Sequence, residues 1–183
     1  MYKFCCFIGH RKIERTEELI CLLKIFIEFL IVSENVAYFI FGSKSEFDEL
    51  CCEIVDELKV KYPHIKKILF TCKGEGGFLE NETKERECME KYLSKFYKKE
   101  IHVTSYDEII KLDKIYSAGK ASYIERNQAM IDKSDFCVFY YDENYIPPLK
   151  SNRKWHNVSN SGTKLAFDYA KQKKKKIYNL FKQ

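Results

Sequence analysis

Polar and apolar positions along the chain follow two periods in turn. Short apolar runs of the kind a doubly buried strand shows occur at Phe4 to Ile8, Val36 to Phe41, Ile65 to Thr71, Ile101 to Val103, Asp135 to Tyr141 and Lys176 to Phe181. Between the first two, Leu19, Leu22, Leu23, Phe26, Ile27, Leu30 and Ile31 recur at helical spacing. Phe47, Leu50, Cys51, Ile54, Val55 and Leu58 do the same until Pro63 stops them. Further helices are expected over Glu80 to Lys99, over Gly119 to Ser134, and from about Gly162 to Lys171. Tyr106 to Ile115 has no decided period, and Asp142 to Asn160, with Pro147-Pro148, reads as a long irregular loop. The sustained alternation predicts an α/β fold, a single domain over 1–183 with a mostly parallel sheet and helices on both faces.

Composition narrows the function classes. A chain of 183 residues, 45% hydrophobic and 32% charged, is long enough to bury one ordinary core. The net charge of +5 is largely local, carried by Lys171 and Lys173 to Lys176. Such a run reads first as the solvated end of a helix and only second as a nucleic-acid patch. Binding of single-stranded DNA would need a basic groove with stacking aromatics, to which the lysine run with Tyr169 and Tyr178 only points. Of the eight cysteines, Cys5, Cys6, Cys51, Cys52 and Cys137 lie in apolar or amphipathic runs and are expected to be reduced core thiols. No C-x-x-C or zinc-type histidine spacing occurs, so no metal or other cofactor is expected. The amino terminus reads directly into a strand without a signal peptide. The apolar face from Leu19 to Val32 is interrupted by Lys24 and Glu28, so it is not expected to span a membrane. A cytoplasmic location is the expectation.

Four segments carry candidate chemistry. Gly9-His10-Arg11 ends the first strand, and Gly42-Ser43 ends the second, with Asp48 a turn into the following helix. Arg126-Asn127 lies on a later helix, and Ser161-Gly162-Thr163 opens the last one. Open α/β sheets bind ligands beyond the carboxyl ends of their strands. Small residues at a helix start leave backbone N–H groups free for an anion, and arginine suits phosphate. Each segment also has an ordinary reading. A glycine can be a plain turn, His10 a satisfied loop histidine, Arg126 a surface ion-pair residue, and Asp48 a favourable first-turn acid. Their coincidence at strand ends favours a phosphate-binding site. In the loop, Tyr145, Arg153, Trp155 and His156 suit closure over a base, or else an exposed lid without a ligand role.

At these residues the chain resembles a known family. Cys5-Cys6-Phe7-Ile8-Gly9-His10-Arg11 is similar to the opening C-C-F-T-G-H-R of small YpsA-like proteins in the SLOG superfamily, which also holds the LOG-type phosphoribohydrolases. Phe41-Gly42-Ser43-Lys44-Ser45-Glu46-Phe47-Asp48 resembles that family's second element, a strand followed by Gly-Gly-x-x-x-x-Asp. Arg126-Asn127-Gln128-Ala129-Met130-Ile131-Asp132-Lys133-Ser134-Asp135 resembles its R-N-x-x-M-[VI]-x-x-[AS]-D signature. Ser161-Gly162-Thr163, with Tyr169-Ala170 beyond, stands where the family has G-G-T-x-x-T-x-x-Y-A.

The resemblance implies a Rossmann-like domain that binds a nucleotide-derived small molecule. Superfamily members cleave nucleoside monophosphates, or sense and sequester NAD-derived and cyclic ADP-ribose signals, some of them in antiphage defence or its inhibition. Carried onto this chain, Gly9, His10, Arg11, Gly42, Ser43 and Asp48 would line the ligand. Arg126 and Asn127 would hold phosphate or ribose, and Ser161, Gly162 and Thr163 would cradle the phosphate. A homo-oligomer is expected on the same ground.

Serine replaces the second glycine of the second element and the first glycine of the last. The LOG-type enzymes carry P-G-G-x-G-T-x-x-E, whose glutamate serves catalysis, but three residues after Thr163 this chain has Ala166. Asp168 falls roughly 200° further around the helix. Binding without cleavage is therefore the first expectation. The alternative is a nucleoside 5′-monophosphate phosphoribohydrolase using Asp48 or Glu46.

Overall fold

The computed structural model describes residues 1–42, 45–72, 106–112, 120–145 and 161–181. Its strands are β1 (Lys3–Gly9), β2 (Val36–Phe41), β3 (Lys66–Cys72), β4 (Glu108–Leu112), β5 (Phe136–Tyr140) and β6 (Lys176–Asn179). Its helices are α1 (Glu17–Val32), α2 (Glu46–Lys61), α3 (Lys120–Lys133) and α4 (Gly162–Gln172). The expected helix over Glu80 to Lys99 and strand at Ile101 to Val103 lie outside the described residues. So does the loop beyond Tyr145, with Arg153, Trp155 and His156. The undecided stretch from Tyr106 contributes β4, and the last strand stops at Asn179 instead of reaching Phe181.

All six strands are parallel and lie in the order β4-β3-β2-β1-β5-β6. The chain moves outward from β1 to β4, then returns to the other side of β1 for β5. Strand order therefore reverses between β1 and β5, where Gly9 lies opposite Tyr140. In this Rossmann-like arrangement the crevice beyond that reversal is the natural ligand position.

Strand alternation divides the core in two. Cys5 and Phe7 face a cluster with Leu23, Ile27, Phe47 and Ile54 from α1 and α2. Cys6 and Ile8 face the opposite cluster, with Met130, Ile131, Ala166 and Ala170 from α3 and α4. The adjacent cysteines thus point to opposite sides, and Cys5, Cys6, Cys51 and Cys137 are buried free thiols. Burial pushes the half-covered Cys52 thiol up to about 11. Helix starts follow local chemistry: Thr16 accepts from the Leu19 N–H, and Ser45 from the Asp48 N–H. Asn35, at φ 60°, turns the chain from α1 into β2.

The amino-terminal half of β3 holds a fully buried lysine, Lys67. Its Nζ is ion-paired with the half-exposed Asp56, lies 3.8 Å from Cys52 Sγ, and sits 5.1 Å from the Tyr106 ring centroid. Because Asp56 keeps access to water, Lys67→Met is expected to change stability by less than about 1 kcal/mol, as read by urea denaturation.

Candidate functional site

Gly9 stands at the carboxyl end of β1, with its α-carbon turned towards α2. A Cβ there would lie 2.5 Å from Phe47 Cβ, so the glycine lets the first turn of α2 press against the strand. His10 points the other way and is buried. Its Nε2 accepts the Asp142 backbone N–H at 2.8 Å, and its ring stacks on Tyr145 with centroids 3.8 Å apart. The same Nε2 also lies 3.2 Å from the Asp142 carbonyl oxygen, so both backbone groups of Asp142 face one ring nitrogen. Burial holds its pKa below the ordinary histidine value, against a smaller opposing pull from Asp142. His10 therefore fastens the segment after β5 to the end of β1.

This burial sets the sign of a pH dependence. The folded pKa lies below the unfolded value of about 6.5, so the contribution is present above that value and lost as pH falls through the folded one. Thermal midpoints measured between pH 7.5 and 5 should fall less steeply in His10→Gln, whose amide does not titrate, than in the parent chain.

At the next strand end, the backbone N–H of Gly42 donates to the buried Asp48 carboxylate, 3.2 Å to Oδ2. The side where a Cβ of residue 42 would project is occupied by α3, with Arg126 Nε 2.9 Å and Met130 Sδ 3.0 Å from that point. Arg126 is buried, and its guanidinium carbon lies 5.5 Å from the Tyr123 ring centroid. The absence of a side chain at Gly42 thus brings a guanidinium against the end of β2. Ser43 lies outside the described residues.

The fourth segment reaches β1 directly. Thr163 donates its hydroxyl to the Gly9 carbonyl at 3.1 Å, fixing the start of α4 over the end of β1. Ser161 caps the helix by accepting from the Lys164 N–H at 3.1 Å. Gly162 faces open space, with nothing within 4 Å of a Cβ placed there. The first turn of α4 carries no acid. By contrast, α1 opens with Glu17 and Glu18, and α2 with Glu46, Asp48 and Glu49. The expectation that the α2 start also offers amides to an anion changes accordingly, since its own carboxylates occupy that positive end. Among the described helices, only α4 keeps both an acid-free first turn and a direct bond to the end of β1.

Gly9, Gly42, Arg126 and Thr163 therefore gather at one rim, through the Gly9–Thr163 and Gly42–Arg126 contacts and the pairing of β1 with β2. Arg11 is exposed beside them, its carbonyl accepting the Glu46 N–H at 3.1 Å. Asn127 follows Arg126 on α3 and is half-buried. Glu46 accepts from Lys12 Nζ and, at 3.1 Å, from the Ile13 N–H. Ala166 is buried in the α3–α4 core, and Asp168 is exposed beside Lys164 at 3.4 Å. Sequence reasoning missed Tyr123 under the guanidinium, although its spacing of three from Arg126 on a helix was a usable signal. It also missed Phe47 as the reason for Gly9. Among the described residues no cluster of histidine, cysteine and carboxylate side chains could hold a metal ion, and no helix is long and apolar enough to cross a membrane.

The sequence model of the YspA SLOG family matches residues 10–175, a span containing every residue of the rim except Gly9. Over 156 residues the chain is 33% identical to the uncharacterized SPbeta prophage-derived protein YoqJ of Bacillus subtilis (strain 168). That match covers 80% of this chain and 76% of the relative.

Proposed function

Because the chain belongs to the YspA SLOG family, we propose that it binds a nucleotide-derived small molecule at the carboxyl edge of its sheet and does not cleave it. The ligand class is ADP-ribose, cyclic ADP-ribose or a related NAD-derived signal. The observation that carries the reading is the Thr163–Gly9 hydrogen bond, which seats the acid-free start of α4 on the crevice beside β1. A phosphate there meets the Gly162 and Thr163 amides and the positive end of the helix dipole. Arg126 supplies a cation from the neighbouring strand end, with Asn127 beside it. Gly9, Arg11 and Gly42 edge the ribose side, while His10 and Asp48 hold the loops that shape it.

The placement of the carboxylates among the described residues supports binding without cleavage. Ribosyl transfer passes through a cation-like transition state that a nearby carboxylate stabilises. The position of the LOG-type glutamate is filled by Ala166, in the core. Asp48 is held by the Gly42 amide and Glu46 by Lys12 and Ile13. Sequestering or sensing such a signal suits a role in phage defence or its inhibition, in keeping with a prophage-derived relative.

Titration calorimetry with ADP-ribose, cyclic ADP-ribose, NAD and AMP, followed by chromatography of each mixture, tests the proposal. Saturable binding of one of them with the nucleotide recovered intact is expected. Enzyme-dependent release of free base would assign the chain to the phosphoribohydrolases, with Asp48 as the first residue to replace. Absence of binding throughout would remove the nucleotide reading.

A further inference from the structure

Helix α1 is apolar on nearly every side, yet one of its sides faces solvent. Between Leu19 and Val32 only Lys24 and Glu28 are charged. Both are engaged with α2, Lys24 with Glu57 at 2.7 Å and Glu28 with Lys61 at 2.7 Å. The outermost ridge is left to Cys21, Ile25, Phe29 and Val32, and the last three are 63%, 43% and 64% exposed. Val60 on α2 is likewise exposed, at 86%. A helix apolar all round is ordinarily buried, and contiguous apolar surface of this kind marks an interface.

We propose that this face binds a second copy of the same chain, with the two α1 helices antiparallel about a twofold axis. The pattern is self-complementary, as an isologous contact requires. With the axis between residues 26 and 28, Ile25 meets Phe29 of the other copy and Cys21 meets Val32. Charge selects the antiparallel sense. The amino-terminal end of α1 is acidic, with Glu17 and Glu18 exposed. Beyond its carboxyl end, Glu34 is outnumbered by Lys3 at 3.1 Å and Lys176 at 3.8 Å. Antiparallel pairing sets each acidic end against the other copy's basic end, whereas a parallel pair would oppose like charges. A helix of 16 residues is about 24 Å long, which sets the length of the contact.

Analytical ultracentrifugation of the full chain up to about 200 µM should show a concentration-dependent dimer. The double variant Ile25→Glu/Phe29→Glu should raise its dissociation constant at least tenfold, with a thermal midpoint unchanged when both chains are measured at concentrations where the parent is monomeric, since both side chains are exposed. In Val32→Cys, mild oxidation should yield a cross-linked dimer whose disulfide joins Cys21 to the new cysteine, identified by peptide mapping. A chain that stays monomeric over the range, a dimer indifferent to the double variant, or a cross-link pairing Cys21 with Cys21 would each overturn the proposal.

Discussion

Gly9→Ala is expected to destabilise the fold by about 3 kcal/mol and to lower the thermal midpoint by roughly 10 °C. The added methyl would sit 2.5 Å from Phe47 Cβ and 2.6 Å from its Cγ. A long side chain could swing its far end away, but a Cβ is fixed to the backbone of α2. Relief therefore requires the first turn of α2 to retreat from β1. That turn is anchored by Ser45, by the Asp48–Gly42 bond and by the packing of Phe47 on Tyr140, with ring centroids 5.5 Å apart. The cost is overpacking inside a buried cluster, where density leaves little room to adjust. Calorimetric unfolding of Gly9→Ala beside Gly162→Ala separates this cause from the general effect of losing a glycine, because position 162 has open space. Equal midpoints for the two variants would show that α2 yields at negligible cost.

The same contact shows where sequence reading stops. Strands β1, β2 and β5 were legible because each is a short apolar run buried on both faces, and α1 and α2 because their buried residues recur at helical spacing. β4 was ambiguous because Glu-Ile-Ile-Lys-Leu, at the edge of the sheet, mixes charged and apolar residues without a regular period. The rim was legible in outline, since a parallel sheet must bring its carboxyl strand ends to one side. Its internal division of labour was not. A glycine at a strand end reads the same whether a ligand or a phenylalanine occupies the missing side chain's place, and Phe47 lies 38 positions away in the chain. Nor does the sequence reveal that the Gly42 amide holds the Asp48 carboxylate, or that Lys67 is wholly buried beside Asp56, because both depend on how separate segments are juxtaposed.

Gly162→Asp should separate ligand binding from folding. Residue 162 is the first helical position of α4, where a carboxylate meets the positive end of the dipole and stabilises the helix by about 0.3 to 1 kcal/mol. Aspartate replaces glycine at a site with nothing within 4 Å of its Cβ, so no strain opposes that gain. A phosphate held by the same amides would instead face a like charge about 5 Å away. At an effective dielectric constant of about 20 this costs about 3 kcal/mol, more than a hundredfold in affinity. Gly162→Asn, of the same shape without the charge, should bind within about threefold of the parent. Calorimetric titration of all three chains with the ADP-ribose derivative that binds the parent, together with their thermal midpoints, reads both effects. Undiminished binding by Gly162→Asp would move the phosphate away from α4, leaving Arg126 and the end of β2 as the anion's remaining anchor.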